Sequence, residues 1–228
     1  MTWISTSFTV INSSKDRYMI GYVGDEMWQV SPHLWADANM ADKENSYSTS
    51  GVHLAMVGPR TNFPLSGLSK GQTCISTSTP EAEIIAAALA LRSEGIPCLL
   101  LWDVLLQRNV ILSFHGDNQA MIRVMTTGRN PTMRTIGRTH GISVMQMYET
   151  FKGDDMLLMY CQTKKMCADI FTKGFAAPHD WDHACELINM FDITKPENFY
   201  QSRELGELSI VVPSRKVCTT LRVYDAPL

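Results

Sequence analysis

Four acids stand at the ends of predicted elements: Asp37, Glu83, Asp117 and Asp169. Asp37 closes a short strand, HLWADA (33–38). Glu83 falls in the first turns of a helix, Asp117 follows the apolar run VILSFHG (110–116), and Asp169 lies in a short late helix. Carboxylates are the hard oxygen donors that a divalent cation such as Mg²⁺ takes. Each of the four also has a structural reading. Asp117 can cap a helix, Glu83 can complement a helix dipole, Asp37 can serve a turn, and Asp169 can be a solvated helix position. Type and spacing alone leave both readings open.

A second pattern is the distribution of positive charge. Between Asn118 and Tyr148 there is no Asp or Glu, and the stretch holds Arg123, Arg129, Arg134, Arg138 and His140. Such an acid-free window suits phosphate contact, or is a solvated face that lacks acids. Lys164, Lys165 and Lys173 flank Asp169 and extend it. His179, His183 and Cys185 sketch a soft-metal corner without an evident fourth ligand, and read better as ordinary helix positions. Walker, nucleophile-elbow and dinucleotide-binding patterns are absent.

The elements that must position these residues come in two styles. The first part reads as strands: Arg17 to Val23, 33–38, VHLAMV (52–57), and a weaker strand between Thr61 and Ile75 interrupted by Pro64 and Gly67. Thr79-Pro80-Glu81 then starts a helix, with Thr79 as N-cap, and Gly95 closes it. Its Ala86, Ala87 and Ala90 fit a close approach to a sheet. A helix over 97–107, a buried strand over 110–116, helices over 117–125 and 139–151, a strand over 156–161 and helices over 165–173 and 179–191 follow. Strands first, then strands alternating with helices, predict a mixed sheet with helices packed on it.

Several blocks carry a family resemblance. They are Ala36-Asp37-Ala38, Ser78-Thr79-Pro80-Glu81-Ala82-Glu83, Gly116-Asp117-Asn118-Gln119-Ala120, Arg138-Thr139-His140 and Ala168-Asp169-Ile170-Phe171-Thr172-Lys173. In this order they resemble the ribonuclease H domain of copia-type retrotransposon polyproteins, over roughly residues 33 to 175. Tyr47 to Gly51 also resembles the family's K-S-T-S-G loop. Asn39 and Met40 depart from the family's Asp and Trp, Gly116 from Cys, Pro80 from Thr, and Arg138-Thr139-His140 lacks an intervening Lys.

The resemblance implies an α/β (mixed α+β) ribonuclease H-like fold, with a five-stranded mixed sheet and flanking helices. It divides the chain into a lead-in over 1–30, the domain over 31–175 and a C-terminal helix and extension over 176–228. It implies that Asp37, Glu83, Asp117 and Asp169 hold two Mg²⁺ ions, with Mn²⁺ as the alternative, and that Glu83 rather than Glu81 is the ligand. It further implies hydrolysis of the RNA strand of RNA–DNA hybrids within reverse transcription. Asn118, Gln119, Arg123, Arg129, Arg134, Arg138, His140 and Lys173 would contact the hybrid, and a reverse transcriptase domain of the same element is a candidate partner. The competing expectation is a degenerate or domesticated domain that binds nucleic acid or protein without cleaving.

The chain has 228 residues, 45% hydrophobic and 19% charged, with 23 Asp plus Glu against 20 Lys plus Arg for a net charge of -3. That excludes a uniformly basic nucleic-acid binder and a largely disordered chain, but not a local basic face. The six cysteines, with no C-x-x-C pair, read as reduced and mostly buried. The N-terminus lacks a signal-peptide pattern, and no apolar run is read as reaching a membrane span. The expectation is therefore a protein of the cytoplasm or nucleus, with no membrane partner; its oligomeric state stays open.

Overall fold

A computed structural model describes residues 16–40, 47–129, 136–192 and 194. Its central sheet has five strands: β2 (Ser31–Asn39), β3 (Thr49–Gly58), β4 (Thr61–Gly71), β5 (Leu112–Gly116) and β6 (Met156–Tyr160), in the order β4-β3-β2-β5-β6. β2, β3 and β4 are antiparallel neighbours, whereas β5 runs parallel to β2 and β6 parallel to β5. The expected mixed five-stranded sheet is therefore what forms. The interruption read at Pro64 is a register shift opposite Leu54 and Ala55, so the strand continues past it. A smaller sheet pairs β1 (Arg17–Met19) with β7 (Met190–Asp192). Two further apolar runs of strand length, LSIVV (208–212) and LRVY (221–224), lie outside the described residues.

Strand alternation sends Leu34, Ala36, Val52, Leu54, Leu112 and Phe114 to one face of the sheet. There they meet Ile84, Ala87 and Leu91 from the first long helix, and Met121, Met125 and Met147 from later ones. That first helix, α1 (Thr79–Ala90), is capped by Ser78, one residue earlier than read from sequence. It does not end at Gly95. Leu91–Gly95 forms a π-helical turn that leads directly into α2 (Ile96–Leu106). Gly95 keeps helical backbone angles, and a Cβ there would stand 3.0 Å from Leu34 Cδ2. The glycine thus serves close packing rather than termination, and the widened turn accommodates Pro97, which has no N–H to donate.

Joining the two segments gives one long apolar helix. Thr79–Leu106 is a helical run of 28 residues with a mean hydropathy of 1.7 over an 18-residue window, long and apolar enough by length and composition to cross a membrane. In the fold, half of that window is buried.

The remaining helices are α3 (Gln119–Thr127), α4 (Ile136–Thr139), α5 (Val144–Lys152) and α6 (Pro178–Leu187). The helix expected over 139–151 is broken at Gly141, whose φ is +65°. The expected helix over 165–173 is two 3₁₀ turns, Thr163–Lys165 and Cys167–Phe171. The second of these lies across the other face of the sheet, where it carries Asp169.

Candidate metal centre

The strand pattern explains how Asp37 reaches the site. On β2, Leu34, Ala36 and Ala38 turn into the core, and His33, Trp35 and Asp37 turn to the opposite face. Glu83 comes from α1, where Ala82 and Ala86 lie fully buried against Ala38. Small side chains on both elements let the helix approach the end of β2, as the alanine pattern predicts. Asp117 leaves the end of the neighbouring parallel strand β5, and Asn118 beside it caps α3 by accepting the Met121 N–H at 2.9 Å.

Three of the four sequence-selected acids come together. One carboxylate oxygen each from Asp37, Glu83 and Asp117 lies within 4.8 Å of the others. Asp37 and Glu83 are buried, with 2% and 4% exposure. The fourth acid, Asp169, sits beside this group rather than in it. Its Oδ1 accepts from Lys173 Nζ at 2.7 Å, and the same ammonium is 3.7 Å from Asp37 Oδ1. Glu81 is elsewhere: its Oε2 accepts from the Thr77 N–H and hydroxyl at 2.7 and 2.6 Å. Of the two glutamates, Glu83 is the one beside Asp37 and Asp117.

Burial and mutual repulsion both act on the group. Burial, then the charges of Asp37 and Asp117, push Glu83 up to about 9. Burial raises Asp37 as well, against the opposing pull of Lys173 and the Thr172 hydroxyl. Asp169 is raised to about 6, again first by burial. Lys173 loses to burial, but Asp37 and Asp169 more than offset that, and its ammonium is held above the usual lysine range. The donor set is all carboxylate and short of positive charge, which fits a hard divalent cation such as Mg²⁺ or Mn²⁺.

Several supporting residues carry no signal as isolated letters. The Thr172 hydroxyl donates to Asp37 Oδ2. Thr163 Oγ1 donates to Asp117 Oδ2 at 2.9 Å. Asn39, where the resemblance has Asp, donates its side-chain amide to the Thr172 carbonyl at 3.2 Å, a bond that a carboxylate could not make. Ser69 Oγ donates to the Phe171 carbonyl at 2.6 Å. Gly51 pairs with Asp37 across the strands, and a Cβ on it would stand 2.7 Å from the Ala168 carbonyl oxygen. The segment over 168–172 is thus seated on β2, β3 and β4 by its backbone as well as its side chains.

Beyond the acids, the same face carries a row of rings. His115 stacks on Trp35 at 4.7 Å, Trp35 tilts against His53 at 5.5 Å, and His53 stacks on Phe171 at 6.1 Å. His53 is 2% exposed, and its Nδ1 has no hydrogen-bond partner. Burial lowers its pKa from 6.5 to about 4. Between those values the unfolded chain takes up a proton that the folded chain refuses, so this contribution to stability is complete above pH 6.5 and is lost as pH falls to about 4. His53→Gln is expected to flatten the fall in unfolding free energy over that window by up to about 3 kcal/mol, as read by urea denaturation at a series of pH values. An unchanged slope would show that His53 stays uncoupled from folding.

The residues expected to contact nucleic acid divide by exposure. Gln119, Arg123, Arg129 and Arg138 are exposed on or next to α3 and α4. His140 is not presented to solvent: its side chain is 3% exposed, with Nε2 3.6 Å from Glu81 Oε1. The sequence placed it with the arginines because it follows them in the chain, but at the end of α4 it is set against Glu81 of α1. Lys173 is engaged by Asp169 and Asp37, and Asn118 by its cap. Arg134 lies outside the described residues. His183 Nε2 lies 2.7 Å from the Lys164 carbonyl oxygen, and His179 is exposed beside Asp180. Among the described residues, the only metal-competent group of His, Cys, Asp and Glu is that of Asp37, Glu83 and Asp117.

No protein-family model matches the chain, and no curated protein matches it. Solved structures with a similar backbone include LC11-RNase H1, isolated from compost by a metagenomic approach, with a TM-score of 0.44 and 14% identity over 62% of this chain and 92% of that one. The N-terminal RNase H domain of rv2228c from Mycobacterium tuberculosis gives a TM-score of 0.41 at 12% identity, covering 69% of this chain and 97% of that one. A foamy viral protease-reverse transcriptase in complex with dsDNA gives 0.39 at 12%, covering 65% and 96%.

Proposed function

We propose that this chain is a ribonuclease H-type endonuclease that cleaves the RNA strand of RNA–DNA hybrids with two divalent metal ions, Mg²⁺ or Mn²⁺, within the reverse-transcription machinery of a copia-type retroelement. The observation that carries the reading is the convergence of Asp37, Glu83 and Asp117, from three separate elements, to within 4.8 Å. The order of the sequence blocks supports it, because each acid lies in the block where the resemblance puts a ligand.

Asp37, Glu83 and Asp117 would hold one ion, and Asp37 with Asp169 the second. When bound, such ions activate a water and stabilise the leaving 3′ oxygen in an in-line displacement. The chain's own part is to fix the donors. β2 and β5 deliver Asp37 and Asp117 side by side, and α1 delivers Glu83 over their ends. Thr172 and Thr163 orient Asp37 and Asp117 by donating to one oxygen of each. Exposed Arg123, Arg129 and Arg138 supply phosphate contacts, which position a hybrid without reading its sequence.

The test is an end-labelled RNA–DNA hybrid incubated with the full chain and Mg²⁺, Mn²⁺ or EDTA. Cleavage of the RNA strand alone, lost in EDTA, is the expected result. Retention of the hybrid without cleavage in every condition would replace this reading with that of a binding module.

A further inference from the structure

The four acids are not equivalent in charge. Asp37, Glu83 and Asp117 face one another, and Asp169 is paired with a cation that the chain supplies and that also stands near Asp37. Lys173 Nζ stands 2.7 Å from Asp169 Oδ1 and 3.7 Å from Asp37 Oδ1, with its side chain 34% exposed. The other oxygen of Asp37 accepts from Thr172. Neighbouring residues of one turn therefore hold both oxygens of a carboxylate that also belongs to the three-acid group.

Resting on the metal-dependent reading above, we propose that the Lys173 ammonium is a built-in counter-ion that occupies the place of the second divalent ion. The first ion enters among Asp37, Glu83 and Asp117, where Lys173 stands 3.7 Å from one oxygen of Asp37 and keeps its 2.7 Å contact elsewhere, on Asp169. The second must separate Lys173 from Asp37 and Asp169 before it can bind between them. Two like charges cannot share a space a few ångströms across, so the competition is direct. The lysine stem has the freedom to leave: it is long, flexible and partly solvated. The second site is consequently weak in the free protein and fills after the first. Lys173 is a positioning residue in this scheme, because it acts on the metal ligands and not on the substrate.

Calorimetric titration of Mn²⁺ into the full chain at fixed pH tests this. The wild type is expected to show one tighter and one weaker binding event. Lys173→Met keeps most of the stem and removes the charge; it is expected to tighten the weaker event by about tenfold or more and the tighter one by less. Asp169→Asn is expected to remove the weaker event. Thermal melting in EDTA establishes that each variant is folded. If the second affinity in Lys173→Met equals or falls below that of the wild type, the counter-ion role is wrong while the metal centre stands. If neither protein takes up Mn²⁺, the metal centre itself is wrong, and this proposal falls with it.

Discussion

Glu83→Gln is expected to abolish metal-dependent cleavage of the hybrid and, in EDTA near pH 7, to melt at a higher temperature than the wild type. The two outcomes share a cause. Burial, then Asp37 and Asp117, raise the Glu83 carboxyl to about 9. In the unfolded chain it ionises near 4.5, so between those values the folded protein holds a proton that the unfolded one has released. Stability therefore falls as pH rises through that window. A glutamine of nearly the same shape has no proton to exchange and escapes the loss. The acid that costs stability is then kept for another purpose, as is common where function and stability compete. Added Mg²⁺ reveals that purpose: a ligand at a hundred times its Kd stabilises the folded state by about 2.7 kcal/mol, and a variant missing one of three ligands forfeits most of that shift. Metal stabilisation of a transition state is worth several kcal/mol, so the rate is expected to drop by ~10³-fold or more. Wild-type cleavage by Glu83→Gln, or an undiminished Mg²⁺ shift in its melting curve, would remove Glu83 from the site.

That experiment touches a residue that the sequence already singled out, and the reason it could do so is physical. Acids at the ends of elements are exposed by strand alternation and by helix starts, both of which are local patterns. Asp37, Glu83 and Asp117 were legible on that basis once the order of the blocks was considered. What could not be read was how Asp169 relates to them. Its position depends on how the 3₁₀ turn over 167–171 lies on three strands more than a hundred residues earlier in the chain. The same limit applies to His140. Its place in a run of arginines suggested the surface, but its ring is buried beside Glu81 of α1, a residue far from it in the chain. Nor does composition say that Gly95 continues a helix, since its role is to let Leu34 approach. By contrast, Thr172 and Lys173 were in plain view inside the block containing Asp169. The structure supplies their reason: they hold Asp37, so the block and the first strand form one unit.

Gly51→Ala is expected to lower cleavage by about 100-fold while leaving the three-acid group itself chemically intact. A Cβ at this position would lie 2.6 Å from Thr172 Cγ2, 2.7 Å from the Ala168 carbonyl oxygen and 3.1 Å from Phe171 Cβ. The threonine methyl can move only with the hydroxyl that donates to Asp37, and the carbonyl belongs to the backbone, so the whole segment over 168–172 has to lift from β3. That segment brings the Thr172 hydroxyl to Asp37 and sets the starting point of Lys173, and Asp169 rides on it. Displacement of reacting groups by about 1 Å costs on the order of 100-fold even when no ligand is deleted. Overpacking of this kind also costs about 1–3 kcal/mol, which a urea titration would register. Gly174→Ala separates the two effects. It adds the same methyl one residue past Lys173, where a Cβ meets nothing within 4 Å, and is expected to leave both rate and stability near the wild type. The comparison is made well below either melting point, so that a loss confined to Gly51→Ala reports the seating of the segment and not the fraction folded. Equal rates for the two variants would mean that Asp169, Thr172 and Lys173 keep their places without Gly51, and that close approach of the backbone at this strand pair is not what aligns the site.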